Sequence, residues 1–433
     1  MGKGADKMRN SAFSTSESEV LDYLDQHGDE LVQLLCDLIA IPTPNPPGDN
    51  YKNFCDFVAK WLADAGLDVE VLTPPEEKLP QLLRPEAQGQ RYAVLGRLRG
   101  AAEHPAFCLQ GHYDTVPASG DWEMDPYDPR VVENKLYGLG SSDMKGGLAS
   151  MMVAAKAIVQ SKVALEGSLS FLATPDEEFP SGAGLAYFLE KGIVDPDYAV
   201  VGEPSGVRNI HIGMKGGIWG DIVVKGRAAH GSQPFAGVNA FEKMVDVACA
   251  VRADLIPRLE KRVSSHGFHP QEGNRPTLVL GGMVGGTNAS RATVPDRCTV
   301  SFDRRMIPEE SLEEVEREIV SFLLDLQTED EELNVEVKVS SKAPSMVVPT
   351  DAEICRVMSD VIDKVAGAPP TNTVSCGGFE TVLFVDRGLQ AVTYGPGVEG
   401  CAHAAGEHTI VDDLALTAKV YALTALRLLT QVS

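Results

Sequence analysis

Positive charge is scarce in this chain. Against 62 Asp and Glu it sets 38 Lys and Arg, a formal net charge of −24 over 433 residues. Such a surface repels polyanions, which excludes nucleic acid and anionic membranes as partners. An anionic ligand must then find its countercharge locally, in metal ions or arginines. No run of about 18 apolar residues exists, so nothing is expected to span a bilayer. The stretch from Met1 to Ser18 is polar and lacks the apolar core of an export signal. The eight cysteines are scattered and form no C-x-x-C pair. In a chain this large they read as reduced thiols of a cytoplasmic protein, not as a disulfide scaffold. Internal repeats and low-complexity tracts are also missing.

What is present suffices for two domains: 43% apolar residues in a chain of this length support a sizeable core. Residues 1–15 read as a disordered lead. A helix is expected from Ser16, with Glu19 completing a capping box, running through Leu21, Leu24, Leu31, Leu35 and Leu38 at helical spacing. A second runs over 53–65 and stops at Gly66. Strands at 68–72, 106–110, 168–173 and 198–201 alternate with an Ala/Met-rich helix at 146–159, the rhythm of a mainly parallel α/β sheet flanked by helices. From Gly213 the pattern changes. Strands at 218–224, 277–281, 298–302 and 333–339 accompany helices at 239–263 and 309–327, a small α+β domain. The expected division is a catalytic domain of 16–212 and 330–433, with 213–329 inserted into it.

Chemistry-bearing residues collect just after the apolar strands, where open α/β sheets bind ligands. His112 in Gly111-His112-Tyr113-Asp114 has in Asp114 an acceptor for its second ring nitrogen, as a well-oriented metal ligand needs; H-x-D is also common on ordinary surfaces. Asp143 sits in a Gly-flanked turn before a helix, as a ligand or as a plain N-terminal carboxylate. Asp176-Glu177-Glu178 follows the strand at 168–173. Three adjacent carboxylates repel unless cations are near, so this is a ligand-and-base pair on a dinuclear site or a solvated acidic loop. Glu203 holds the same place after the next strand. His403 and His408 compete for a late ligand role. Taken together, His, Asp, Glu, Glu and His on five strand-end loops suit divalent Zn, Mn or Co.

With these blocks in order the chain resembles the M20 metallopeptidase family, the group of acetylornithine deacetylase, succinyl-diaminopimelate desuccinylase and glutamate carboxypeptidase. G-H-x-D-x-V-P, S-D-M-K-G-G, D-E-E, G-E-P-S and the late A-H-x-x-x-E carry the likeness, which spans nearly the whole chain. It implies a zinc-exopeptidase-like fold with an inserted lid and dimerisation domain, and one or two divalent metal ions. His112 and Glu203 would bind one metal, Glu178 and His403 the other, and Asp143 both; the bond after Asp143 is often cis in the family. Asp114 would orient His112 and Glu177 would be the general base. His403 is preferred to His408 because Glu407 follows it by four. In the inserted domain His230 would stabilise the oxyanion in a partner subunit's site, making a homodimer or higher homo-oligomer. Arg305 of Asp303-Arg304-Arg305-Met306-Ile307-Pro308, together with Asn288, Arg291, Gly377 and Gly378, would contact the substrate.

Two departures fall in substrate-contacting regions: Arg291-Ala292 where desuccinylase-like members carry Asn, and Phe379-Glu380 in place of the usual Thr/Asp pattern. They leave the hydrolytic apparatus untouched. The expectation is therefore metal-dependent hydrolysis of an amide C–N bond in a small carboxylate-bearing substrate such as an N-acyl amino acid. Rivals are ammonia release from an amino-substituted aromatic acid, dipeptidase or carboxypeptidase action, and a non-catalytic ligand-binding protein on the same fold.

Overall fold

A computed structural model describes residues 13–286, 290–398 and 400–430. They divide into two compact units. One comprises the described residues up to Ile212, Val348–Asn372 and those from Phe379 onward; the other comprises Gly213–Val347 and Thr373–Gly378.

The first unit opens with helices α1 (Thr15–Gln26), α2 (Gly28–Ile39) and α3 (Tyr51–Ala65). The capping box lies two residues earlier than the pattern suggested: the Glu17 amide donates to the Ser14 hydroxyl and the Ser14 amide to the Glu17 carboxylate. Ser14 and Thr15 thus belong to the helix start, not to a lead. The single long helix expected to Leu38 is two, because the chain breaks at His27, whose ring Nδ1 donates to the Tyr23 carbonyl. Gly66 ends α3 at φ 100°, a conformation open to glycine.

Seven strands build the sheet of this unit: β1 (Asp68–Leu72), β2 (Ala93–Leu98), β3 (Ala106–His112), β4 (Ser168–Thr174), β5 (Tyr198–Val201), β6 (Asn209–Met214) and β7 (Gln390–Thr393). Their order is β1-β2-β4-β3-β5-β7-β6. The middle four, β4, β3, β5 and β7, run parallel; β1 with β2, β2 with β4 and β6 with β7 are antiparallel. One face packs Leu95, Cys108, Leu172, Val201 and Ala391 against Leu185, Phe188 and Phe384. Helices α4 (Lys145–Gln160), α5 (Glu353–Ala366) and α6 (Val411–Leu429) complete the unit. The Ala/Met composition of α4 follows from its burial on nearly every side, where small and pliable side chains fill uneven gaps. A Cβ on Gly147 would stand 2.3 Å from the Gly202 carbonyl, so glycine there lets the start of α4 close on the loop after β5.

In the second unit an antiparallel sheet runs in the order Thr277–Gly286, Arg297–Met306, Gly216–Lys225, Asn334–Ala343. Ile218, Ile222, Val224 and Phe302 pack with Val315 and Ile319 of the helix Leu312–Glu329. The return to the first unit falls after Val347, not at 330. Asn334–Ala343 pairs along its length with Gly216–Lys225, and Met346 and Val347 pair with Met214 and Gly213; such long-range pairing leaves no mark on local sequence. The helix expected over 239–263 is Ala240–Ala250 and Ile256–Leu259, joined by a π-helical turn at Val251–Leu255. Pro257 has no N–H for a regular helical bond and its ring crowds the preceding turn, which widens there.

Candidate metal centre

Each parallel strand delivers its chemistry where it ends. His112 is the last residue of β3 and is buried. Its Nδ1 donates to the main-chain carbonyl of Asp114 at 2.9 Å, which leaves Nε2 pointing at Asp143 Oδ1 and Glu203 Oε1, both at 3.2 Å. The orienting contact from Asp114 is thus its carbonyl; its carboxylate stands farther off, at 3.5 Å. That carboxylate does other work. It accepts the amides of Glu177 (3.2 Å) and Glu178 (3.1 Å) and the Asn45 side-chain amide (3.0 Å), fixing the turn after β4.

The other carboxylate oxygen of Asp143 lies 3.3 Å from His403 Nε2, and Glu178 Oε2 lies 2.9 Å from the same atom. Asp143 therefore stands between the two imidazoles, and its bond to Met144 is cis. One ligand atom each from His112, Asp143 and Glu178 falls within 4.8 Å of the others, as do those of His112, Glu177 and Glu203. His408 is turned away: its Nδ1 contacts Cys401 Sγ at 3.3 Å and the Gly406 carbonyl at 3.0 Å.

Charge in this cluster does not balance. Four carboxylates (Asp143, Glu177, Glu178 and Glu203) share the space with two imidazoles. Burial, then Glu203, pushes Glu177 well above the usual carboxylate range, and burial raises Glu203 to about 8. Burial pulls His112 down, but Glu203, Asp114 and Asp143 together hold it well above its ordinary value; hydrogen bonds donated to Asp143 and Glu178 raise His403 to about 10. With Nδ1–H of His112 committed to the Asp114 carbonyl, its Nε2 faces two carboxylates, an arrangement that calls for a cation there, a proton or a metal ion. Mixed imidazole and carboxylate donors of this kind fit divalent transition metals.

Several residues support the site through bonds that the sequence does not announce. Glu407, buried, accepts the amides of Gly140 (3.0 Å), Ser142 (2.8 Å) and Asp143 (3.0 Å), so the loop carrying His403 also clamps the turn carrying Asp143. The spacing from His403 marks Glu407 but says nothing of this bond. Asp176, at φ 65°, pairs with Arg91 at 2.8 Å, both side chains wholly buried, and accepts from Asn45 and Tyr51. Glu380 accepts from Gln110 at 2.7 Å, and burial raises it to about 7.

The remaining predicted residues lie in the second unit. His230 is exposed; the Ser232 amide donates to its Nδ1 at 3.2 Å, so a neutral ring carries its proton on Nε2. It pairs with Thr293, and the Gly231 amide donates to the Ala292 carbonyl, which puts Arg291 beside it. Arg305 donates from Nε to Asp303 at 2.8 Å and lies over the Trp219 ring at 4.8 Å. Gly377 donates its amide to the Ser375 hydroxyl. Asn288 lies outside the described residues.

The model of peptidase family M20/M25/M40 matches residues 108–427. The chain belongs to this family. A succinyl-diaminopimelate desuccinylase of Xanthomonas campestris pv. campestris (strain B100) is 30% identical over 411 residues, covering 92% of this chain and 99% of that one. An acetylornithine deacetylase of Vibrio campbellii (strain ATCC BAA-1116) is 30% identical over 392 residues, covering 88% and 93%. Among solved structures, human carnosine dipeptidase 1 superposes with a TM-score of 0.72 over 96% of this chain and 99% of that one; at 19% identity it speaks to the fold alone. As an M20 member the protein is a hydrolase acting on C–N bonds, with a mixed α/β fold built on a mainly parallel sheet.

Proposed function

We propose that the protein removes the acyl group from an N-acyl amino acid or a similar small carboxylate-bearing amide, at a centre of two divalent metal ions, zinc, manganese or cobalt. His112, Asp143 and Glu203 are assigned to one ion, and Asp143, Glu178 and His403 to the other. The observation that carries the assignment is Asp143 set between His112 Nε2 and His403 Nε2 at 3.2 and 3.3 Å. Metals held there supply Lewis acidity and lower the pKa of bound water towards about 7.

The chain's own residues do the rest. Glu177 takes the proton of the attacking water and returns it to the leaving nitrogen as the C–N bond breaks. Asp114 keeps Glu177 in place through the backbone amide, so the base is positioned from behind while its carboxylate stays free. His230 is assigned to the oxyanion in the site of a partner subunit, for which its Nε2–H tautomer provides a donor. A homodimer or higher assembly is part of this reading, supported by the apolar edge strand Thr277–Gly286, where Val279, Met283 and Val284 are 60%, 72% and 68% exposed. Arg291, Gly377, Gly378 and Asn288 are assigned to substrate contact, with Arg305 as a weaker anion contact because Asp303 already engages it. The cytoplasm is the proposed location, in keeping with eight cysteines that are all free thiols.

Metal analysis of the purified protein, with a turnover screen of N-acyl amino acids, dipeptides and amino-substituted aromatic acids, tests this reading. Two equivalents of metal and release of a carboxylic acid are expected. Ammonia as the only small product, or acyl turnover by metal-free protein, overturns it.

A further inference from the structure

Arg84 is exposed, and among the described residues it forms no ion pair. Arg208, Arg356 and Arg387 of the same unit also lack one, but each donates to a main-chain carbonyl. Arg84 is not loose, however: it lies over the ring of Phe179, 4.8 Å from the centroid. Phe179 directly follows Glu177 and Glu178.

The loop that bears Arg84 is tied at both ends to the turn after β4. At one end the Gly182 amide donates to the Leu82 carbonyl at 2.8 Å. A Cβ on Gly182 would meet Leu82 at 3.0 Å, so glycine permits the close approach. At the other end Arg91 forms its buried pair with Asp176, the residue before Glu177. Asn45, from the loop after α2, holds the same turn by donating to the Asp114 and Asp176 carboxylates and, at 3.5 Å, to the Phe179 carbonyl. The segment 82–91 is thereby fastened to the segment that supplies Glu177 and Glu178, and Arg84 is carried on it with its charge unspent. Arg305, the arginine singled out by the family motif, has Asp303 as partner instead.

We propose that Arg84, braced on Phe179, receives a carboxylate of the substrate and determines specificity for anionic substrates. The proposal rests on the hydrolase reading above and refines it. A planar guanidinium with one face on an aromatic ring keeps its N–H edge free for a two-point contact with a carboxylate. The carboxylate could belong to the amino-acid part or to a dicarboxylic acyl group; the chemistry is the same.

The test compares wild type with Arg84→Gln and Arg84→Lys on N-acetyl amino acids, their C-terminal carboxamides and N-succinyl amino acids. For Arg84→Gln the KM for the recognised carboxylate should rise about 10- to 100-fold, the range for losing a charged hydrogen bond. The KM for substrates lacking that carboxylate, kcat and metal content should stay within about twofold, and Arg84→Lys should recover part of the loss. A rise confined to acids over carboxamides names the amino-acid carboxylate; a rise confined to succinyl over acetyl substrates names the acyl carboxylate. An unchanged KM for every carboxylate substrate overturns the proposal, as does an equal rise for charged and uncharged ones. If wild type hydrolyses none of these, the deacylase reading fails by itself. Calorimetric binding of succinate to the metal-loaded wild type and Arg84→Gln then decides: weaker binding by the variant sustains the role of Arg84, and equal binding refutes it.

Discussion

The two units treat their polar residues in opposite ways. In the first, carboxylates and imidazoles are gathered with too little positive charge: Asp143 and Glu203 lie within hydrogen-bonding range of His112, Glu178 within that of His403, and burial raises Glu203 to about 8. In the second, the residues with chemical potential are either partnered or open to solvent. Arg304 binds Glu310, Arg305 binds Asp303, and His230 is exposed. An unbalanced interior is costly to maintain unless something else binds there, whereas a balanced one serves stability. The contrast assigns metal chemistry to the first unit and leaves the second to scaffold and substrate contact.

The sharpest way to break that comparison is Glu177→Ala. Loss of the base should lower kcat about 10²- to 10⁴-fold while metal content, read by elemental analysis, stays at the wild-type level. Retained activity would remove Glu177 from the chemistry. Next comes the buried pair beneath it. Asp176→Ala strands the Arg91 guanidinium in the interior and should cost about 3–5 kcal/mol, the range for breaking a buried ion pair, seen as a large drop in Tm. A loss below about 1 kcal/mol would mean that Arg91 finds other partners, such as the carbonyls of Gln88, Gly89 and Pro47 that it already bonds.

Metal removal should separate the units without any mutation. Stripping the ions leaves like charges facing one another across Asp143, Glu178 and Glu203. Hydrogen exchange should then quicken at the amides that Glu407 and Asp114 hold: Gly140, Ser142 and Asp143, and Glu177 and Glu178. The strands Gly216–Lys225 and Arg297–Met306, paired over ten residues, should exchange as before. Equal acceleration in both would deny that the metal centre belongs to the first unit.

How far the sequence foretells each unit follows the same divide. The residues proposed as ligands at the ends of β3, β4 and β5 are legible because a strand's last residues and the loop after it are neighbours in sequence. The bonds that hold the ligands are not, since Glu407 reaches amides more than 260 residues away. The same holds for Arg91 and Asp176, 85 residues apart. The second boundary was misplaced for a related reason: the strand Asn334–Ala343 looks alike whether its partner lies in one unit or the other. Arg305 was singled out by its place in a motif, and a motif does not record that Asp303, two residues before, has already engaged it.

Arg305 supplies the smallest expected effect. Its guanidinium is 32% exposed, donates to Asp303 and stacks on Trp219. A partly exposed pair of this kind contributes about 0–1 kcal/mol, and the cation–aromatic contact about as much. Arg305→Ala should therefore leave Tm nearly unchanged and raise KM for a carboxylate substrate only about 2- to 5-fold, since a substrate would have to compete with Asp303. Asp303→Asn sharpens the reading. If Asp303 masks the arginine, removing its charge should strengthen substrate binding, and KM should fall. A tenfold or larger rise in KM for Arg305→Ala, with Asp303→Asn neutral, would move the principal anion contact from Arg84 in the first unit to Arg305 in the second.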